Sequence, residues 1–244
     1  MEKAFKKAIK KILQAQGKAI INAFIKLMTE KKANGMSKDE AEKKANELID
    51  KIFKAIEAGY GTDKIVKELL PLWTESGKLG NQFLNNIQFT KPEDGTLFAV
   101  INDDYTDWLD TYGADMVTNV NQTTKDITKQ IIKDGLVNGD STAKIAKALS
   151  DKIEEYSESR STMIALTETH NSFMKGNFMT AETSGFKYKT WITAGDSHVR
   201  ASHQELNGMK IEIDKDFKSG LGHPGDDRAP ASETVYCRCI LYYE

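Results

Sequence analysis

The residues with the most distinctive chemistry lie towards the C-terminal end of the chain. Cys237 and Cys239 are separated by one residue, and a β-strand would direct both thiols to one face because residues two apart in a strand point the same way. His203 and His223, on nearby predicted loops, would complete a tetrahedral zinc site of two sulfurs and two nitrogens. Zinc-binding cysteines usually have two or more residues between them, so the alternative is that both are small buried apolar residues. The sequence leaves both interpretations open, with structural zinc as the cofactor it indicates.

A second group of residues has the composition of an acid–base centre. Asp196, Arg200 and His203 are four and three residues apart, a spacing that places them on one face of a helical turn and lets Asp196 pair with Arg200. In one interpretation His203 is a base and Arg200 binds phosphate. In the other, these residues form a polar network that holds loops, which Arg160 and Glu168 of the preceding helix could join. The chain has neither a glycine-rich phosphate loop nor a Ser-His-Asp pattern, which favours the network.

Positive charge is concentrated at the start of the chain. Residues 1–34 contain nine lysines and two glutamates, whereas the whole chain has a net charge of −2. This asymmetry indicates that the first helix faces an acidic partner, either nucleic acid or an acidic protein surface. The alternative is a solvated lysine face on an amphipathic helix. The lysines assigned to the contact are Lys3, Lys6, Lys7, Lys10, Lys11 and Lys18.

The N-terminal part of the chain shows the periodicity of amphipathic helices. Apolar residues recur at spacings of three and four and predict one helix over the first 34 residues. Ser37 and Glu40 form a capping box for a second helix, which we expect to run to Gly59.

Glycine and proline residues indicate where later helices end. Thr62 begins a third helix, which we expect to end before Pro71 because proline lacks the amide hydrogen that a helix interior needs. Gly77 and Gly80 belong to an irregular stretch that predicts a boundary or an insertion over about 75–95. Further helices are predicted over about 97–138, over 141–152, and from Ser157 or Ser159 to about Ser184.

Towards the C-terminus the pattern changes to the alternation of large and polar side chains that is typical of strands. It occurs over residues 186–193, 209–213 and 235–241, with loops that contain glycine and proline between them. We therefore predict an α+β fold. A mainly helical region over 1–152 is followed by a small α+β domain over 153–244, in which one long helix leads into a short antiparallel sheet.

Composition excludes some classes of protein. The chain has 244 residues, enough for one large or two modest domains, with 39% hydrophobic and 29% charged residues. No apolar run approaches the roughly 18–20 residues that span a bilayer, and the first residues lack the apolar core of a signal peptide. We expect a protein that stays in the cytoplasm until it is assembled into a larger structure, without a membrane partner.

The order and spacing of polar, aromatic and cysteine residues over about 155–243 resembles the phage Mu protein F-like family. Two positions depart from the pattern: Tyr236 stands where the family commonly has Asn, and His198 where a second basic or polar residue is usual. Further matching positions include Asn171, Thr193, Gly208, Phe217 and Pro224-Gly225. The family-signature polar network consists of Arg160, Glu168, Trp191, Asp196, Arg200, His203, Glu233 and Arg238.

This resemblance implies a non-enzymatic minor head (head-morphogenesis) protein of a tailed bacteriophage. Such a protein is present in few copies inside the head, binds the portal protein, and acts in head assembly and in DNA packaging, retention or ejection. The implied partners are the portal, packaged double-stranded DNA, and major capsid or scaffold protein. The implied location is the virion near the portal, and the host cytoplasm during assembly.

Two other functions stay open from the residues alone. The first is a nuclease or a nucleotide-using transferase centred on Arg200, His203 and Glu233. The second is a free-standing nucleic-acid-binding protein that acts through residues 1–34, for which binding would depend steeply on salt because released counterions drive it.

Overall fold

A computed structural model describes residues 1–28, 36–88 and 103–244. In these ranges five long helices precede a small three-stranded antiparallel sheet with two short helices in its connections, which confirms the predicted α+β class. None of the described helices has the length and apolar character needed to cross a membrane. The elements are α1 (Glu2–Leu27), α2 (Lys38–Tyr60), α3 (Thr62–Gln88), α4 (Asp103–Val137), α5 (Thr142–Thr183), β1 (Tyr188–Ile192), α6 (Ala201–Gln204), β2 (Lys210–Glu212), α7 (Ala231–Thr234) and β3 (Ile240–Tyr243).

The chain forms two compact units that interleave along the sequence. The units change within α5 after Ser161, and the domain boundary predicted from the sequence, between residues 152 and 153, lies in the same helix. What we call the helical unit consists of Lys7–Glu68 and Gly113–Ser161. What we call the sheet unit consists of Met1–Lys6, Leu69–Tyr112 and Thr162–Glu244.

The helical unit is built around the apolar faces of α1, α2, α4 and α5. The predicted capping box is present at the start of α2, where Ser37 Oγ accepts from the Glu40 amide at 3.3 Å and the Ser37 amide donates to Glu40 Oε2 at 3.0 Å. α1 ends at Leu27, and residues 29–34 of the predicted helix lie outside the described ranges. The buried core residues include Ile20, Phe24, Leu48, Ile49, Ile52, Ile132, Leu136, Ile145, Leu149 and Ile153.

α3 continues through Pro71, where the sequence predicted its end. Proline in a helix interior costs about 3 kcal/mol because it removes a hydrogen bond and crowds the preceding turn. Two residues further on, the Trp73 side chain is fully buried and its Nε1–H donates to Glu168 at 2.9 Å. Thr74 Oγ1 donates to the Leu70 carbonyl at 2.9 Å. Packing of the next turn thus offsets the loss at the proline, and the prediction of an end here was wrong.

Gly77 and Gly80 also lie inside α3, although the sequence predicted a boundary from them. They allow α3 to approach α5 closely. A Cβ atom at Gly80 would lie 2.0 Å from the Phe173 carbonyl oxygen, and one at Gly176 would lie 2.3 Å from the Gly77 carbonyl oxygen. These glycines are required by the contact between two helices, which a local pattern does not reveal.

α5 is one continuous helix of 42 residues, whereas the sequence predicted a break between 152 and 157. Ser157 and Ser159 were interpreted as helix starts because serine is a frequent N-cap residue. In the structure their hydroxyls donate back to carbonyls of the preceding turn, Ser157 Oγ to Glu154 at 3.1 Å and Ser159 Oγ to Tyr156 at 3.4 Å. Serine satisfies its hydroxyl in this way inside a helix, so neither residue begins one.

The sheet has the order β2–β1–β3, with β1 antiparallel to both neighbours. Lys189 of β1 lies in register with Ile211 of β2 and with Tyr243 of β3. One face of the sheet packs on the second half of α5, where the Tyr243 hydroxyl donates to Asn177 Oδ1 at 3.0 Å. The buried core of this unit includes Leu84, Met174, Phe178, Ala181, Trp191, Leu206, Phe217, Leu221, Cys237, Cys239, Leu241 and Tyr243.

The close approach of α3 and α5 predicts opposite effects for two glycine substitutions. Gly176→Ala should lower the free energy of unfolding by about 1–3 kcal/mol, because its methyl group would meet backbone atoms that cannot move aside. Gly59→Ala, in α2 with no atom within 4 Å of the new Cβ, should raise it by about 0.5–1 kcal/mol. Urea unfolding of both variants checks this, and equal effects would contradict the packing argument.

Candidate functional site

Three of the predicted metal ligands come together in the sheet unit, in what we call the His–Cys cluster: His203, Cys237 and Cys239. The His203 Nδ1 atom lies 3.7 Å from the Cys237 sulfur and 3.5 Å from the Cys239 sulfur. The histidine is 1% exposed and each cysteine 3%, and both cysteines are free thiols. Two sulfurs and one imidazole nitrogen thus face one another in a site closed to bulk water.

The two sulfurs lie on one side of the chain, as the sequence predicted, although both cysteines precede the strand β3 and are not part of it. Arg238 between the cysteines is exposed, and the alternation continues through β3. The strand itself starts at Ile240, later than the predicted residue 235. Tyr236, directly before Cys237, has a φ of 58°, the left-handed conformation. This turn directs Cys237 inwards, and the Tyr236 amide donates to Thr167 Oγ1 at 3.2 Å.

Glu233 holds the other side of the imidazole. Its Oε2 atom lies 3.0 Å from His203 Nε2 and accepts a hydrogen bond from Ser202 Oγ at 2.9 Å. The Trp191 ring meets the imidazole edge-on, with centroids 5.1 Å apart. The carboxylate and the indole therefore fix the ring so that Nδ1 points at the sulfurs.

The pKa values of the two thiols are shifted in opposite directions. A hydrogen bond from Cys237 lowers the pKa of Cys239, with smaller contributions from His203 and Trp191 in the same direction. The same contact, together with burial, raises the pKa of Cys237. The contact therefore favours ionisation of Cys239 over that of Cys237, and a thiolate is the form of cysteine that binds metal.

The charged residues around this cluster pair differently from the prediction. Asp196 does not pair with Arg200, because the short helix α6 begins only at Ala201 and the two residues share no helical turn. Instead Arg238 donates to both carboxylate oxygens of Asp196, at 2.6 and 2.8 Å, and lowers the pKa of Asp196 to about 2. Arg200 donates to the Ser232 and Val235 carbonyls. Both arginines thereby tie loops together.

His223 is not part of the His–Cys cluster, so the predicted four-residue zinc site is not formed. Its Nδ1 atom lies 3.0 Å from the Pro224 carbonyl, and its ring packs on Phe178 with centroids 5.0 Å apart. It belongs to a different group with Asp226 and Asp227. The backbone turns of the intervening loop carry it away from the cysteines.

Two residues of the predicted network lie apart from this site. Arg160 belongs to the helical unit, where it donates to Thr124 Oγ1 and to the Val120 carbonyl, both at 3.1 Å. Glu168 is buried in the sheet unit against Trp73 and Tyr112, and burial raises its pKa to about 7 although hydrogen bonds from both residues act in the opposite direction. Arg160 and Glu168 thus each connect helices within their own unit.

Sequence reasoning missed a second polar region of the sheet unit. Lys189 is 1% exposed, lies over the Phe178 ring at 4.5 Å, and burial lowers its pKa to about 8. It lines a cavity of about 350 Å³. Arg228, which also lines the cavity, donates to the carboxylates of both Asp216 and Asp226. The available signal was a lysine at an inward position of an alternating strand, two residues before Trp191.

The comparisons with known proteins agree with the resemblance inferred from the sequence. Residues 125–242, just under half of the chain, match the family model described as Phage Mu protein F like protein. The match begins earlier than the predicted residue 155 and includes about the last third of α4. The matched residues therefore include α5, nearly all of the sheet and the His–Cys cluster.

Three curated relatives each match part of the chain. The Minor head protein GP7 of Bacillus phage SPP1 is 30% identical over 118 residues, 46% of this chain and 38% of that protein. The NAD(+)--arginine ADP-ribosyltransferase EFV of Enterococcus faecalis is 33% identical over 124 residues, 47% of this chain and 24% of that protein. The uncharacterized protein YqbB of Bacillus subtilis is 22% identical over 159 residues, 59% of this chain and 50% of that protein. The matched stretches thus span about a quarter to a half of each relative. No solved structure matches the chain significantly.

The left-handed turn before Cys237 predicts that Tyr236→Asn stabilises the protein. Left-handed backbone costs roughly 1–2 kcal/mol for most residues and less for asparagine, which the family resemblance places at this position. Tyr236 is 47% exposed, so little packing is lost and the free energy of unfolding should rise by about 1 kcal/mol. The control is Tyr242→Asn, an equally exposed tyrosine in β3, which should not stabilise. Urea unfolding that ranks the two variants the other way would contradict this account.

Burial of Glu168 predicts a pH-dependent stability. Its folded pKa of about 7 lies above the ordinary value of 4.5, so the folded state retains a proton that the unfolded chain loses. The resulting stabilisation, on the order of 3 kcal/mol, is complete below the unfolded pKa and is lost as the pH rises through about 7. Glu168→Gln should remove this decline in urea unfolding measured from about pH 5 to about pH 8. Glu75→Gln, an exposed position of α3, should leave it unchanged.

Proposed function

We propose that this chain is a minor head protein of a tailed bacteriophage, located inside the head and bound to the portal. There it would act in head assembly and in DNA packaging, retention or ejection. The observation that carries the proposal is the match of residues 125–242 to the Phage Mu protein F like model, together with the similarity to the SPP1 minor head protein. The partners follow from that role: portal protein, packaged double-stranded DNA, and major capsid or scaffold protein.

The geometry of the His–Cys cluster supports a structural role for this region. A general base must reach the proton it removes, but His203 is 1% exposed, and its two nitrogens face the cysteine sulfurs and Glu233. Arg200, the group proposed to bind phosphate, donates to backbone carbonyls instead. The residues of the enzyme alternative are thus engaged in holding loops.

The similarity to an ADP-ribosyltransferase is compatible with this proposal. The alignment covers 24% of that protein, so most of its length has no counterpart in the match. A shared region can occur in proteins of different function, because function resides in sites rather than in folds. Whether this chain has the ADP-ribosyltransferase activity named for that relative is therefore a question for experiment.

A contact with DNA or with an acidic portal surface is supported by one face of α1, which we call the lysine face: Lys3, Lys7, Lys11 and Lys18. These residues are exposed and are spaced by four, four and seven positions, so they lie along one side of the helix. Lys10 differs, because it pairs with Glu158 at 2.6 Å, and Lys6 is half-buried. We therefore assign the contact to the four exposed lysines.

The proposal predicts that the purified protein binds purified portal and duplex DNA through the lysine face. Changing its four lysines to Gln should weaken binding, and should lower the slope of log affinity against log salt by up to about 0.9 for each lysine that contacts a phosphate. The matched control changes four other exposed lysines, Lys51, Lys54, Lys64 and Lys67, to Gln. It removes the same charge and should leave binding nearly unchanged.

The virion provides the decisive test of the role. The protein should be found in purified phage heads together with the portal, and phage that lack it should assemble or deliver DNA poorly. Normal, fully infectious heads without the protein would overturn the proposal. Cleavage of DNA or consumption of NAD by the purified chain, lost in Glu233→Gln, would support the enzyme alternative instead.

A further inference from the structure

We propose that the His–Cys cluster binds a zinc ion through His203 Nδ1 and the sulfurs of Cys237 and Cys239, and that Glu233 is a positioning residue for the histidine. This inference rests on the geometry of the cluster and does not depend on the proposed function. A zinc-free cluster would leave the role in the phage head untouched.

The distances within the cluster are those of a zinc coordination shell. With Zn–S bonds of about 2.3 Å and Zn–N bonds of about 2.0–2.1 Å, the sulfur-to-nitrogen edge of a tetrahedron is about 3.6 Å. The two sulfur-to-Nδ1 distances are 3.5 and 3.7 Å, and all three ligand atoms lie within 4.8 Å of one another. An ion can therefore be accommodated without movement of the backbone.

The donor atoms favour zinc over the common hard cations. Thiolate sulfur and imidazole nitrogen bind zinc well, whereas magnesium and calcium prefer oxygen ligands. Three protein ligands leave one tetrahedral position, which we assign to a water molecule. A mutual disulfide would have to form across a single intervening residue, which strains its geometry, so the two sulfurs are better placed to share an ion.

Glu233 has the arrangement of an outer-shell carboxylate in a zinc site. A metal-binding histidine commonly donates its second N–H to a carboxylate, which fixes the tautomer and the ring orientation. Glu233 Oε2 lies 3.0 Å from His203 Nε2 and is itself held by Ser202. The carboxylate lies beside Nε2. With the proton on that nitrogen, the Nδ1 lone pair is directed at the position of the ion.

The ion would link parts of the chain that regular secondary structure does not join. His203 is 34 and 36 residues from the two cysteines. The intervening chain contains one three-residue strand and one four-residue helix. A bond network through zinc would close this long connection against the core.

The same chain offers an internal control for the metal assignment. His223, Asp226 and Asp227 form another group of ligand atoms, but Asp226 already accepts from the Gly222 amide and from Arg228. Its oxygen-rich composition is also less suited to zinc. Asp227→Asn, at an exposed position of this group, should leave zinc binding unchanged.

The test is metal analysis of the purified, reduced full chain by inductively coupled plasma mass spectrometry. We expect one zinc per chain and a lower unfolding temperature after chelation. The Cys237→Ser, Cys239→Ser double variant should contain no zinc. Glu233→Gln should fold normally and raise the zinc dissociation constant about 10–100-fold. Cobalt added to the zinc-free protein should produce a thiolate-to-cobalt charge-transfer band that the double variant lacks.

Three results would overturn the proposal. They are a reduced protein that neither carries zinc nor takes up cobalt, zinc that persists in the double cysteine variant, and an equal loss of zinc from Glu233→Gln and Asp227→Asn. If the double variant does not fold, Cys239→His retains a ligand atom at that position. It should bind cobalt with a weaker thiolate band, and an unchanged band would likewise contradict the assignment.

Discussion

The buried imidazole of His203 is the contact on which the C-terminal part of the fold depends, because four segments meet at it. β1 contributes Trp191, α6 carries the imidazole, α7 contributes Glu233, and the segment before β3 contributes the two sulfurs. The strands have only three to five residues, so backbone ladders alone cannot fix the long connections between them. In this region, side-chain contacts to the imidazole hold the connections in place, whereas in a larger sheet strand pairing would hold them.

Buried charged groups are a second feature of the sheet unit, and each is placed where it joins elements. Glu168 of α5 accepts from Trp73 of α3, and Lys189 of β1 lies over the Phe178 ring of α5. Burying a charge is costly, and burial shifts the pKa of each group towards its neutral form, Glu168 to about 7 and Lys189 to about 8. The partial neutralisation lowers this cost. An apolar pair could supply similar stability. We therefore infer that these groups contribute to the specificity of the packing between helices and strand rather than to its strength.

A structural feature could be predicted from the sequence where it depends on residues close together in the chain, and could not where it depends on tertiary contacts. The capping box at Ser37 and the shared face of Cys237 and Cys239 depend on neighbouring residues only, and both were predicted correctly. The end predicted at Pro71 was wrong, because the continuation of α3 depends on Trp73 packing against another helix. His223 was assigned to the wrong group because loop geometry, not residue type, decides which side chains meet. The sequence thus indicated the chemistry of the site but not its full membership.

The distribution of the family match over the chain separates two aspects of function. The His–Cys cluster lies within the matched residues 125–242, whereas the lysine face, from Lys3 to Lys18, lies outside them. The family match therefore bears on the folded core of the C-terminal region and not on the basic surface. The proposed recognition of a portal or DNA surface therefore rests on α1 and not on the matched region. A surface of exposed, solvated lysines suits that task, because long-range attraction to an acidic partner requires charge rather than a shaped pocket.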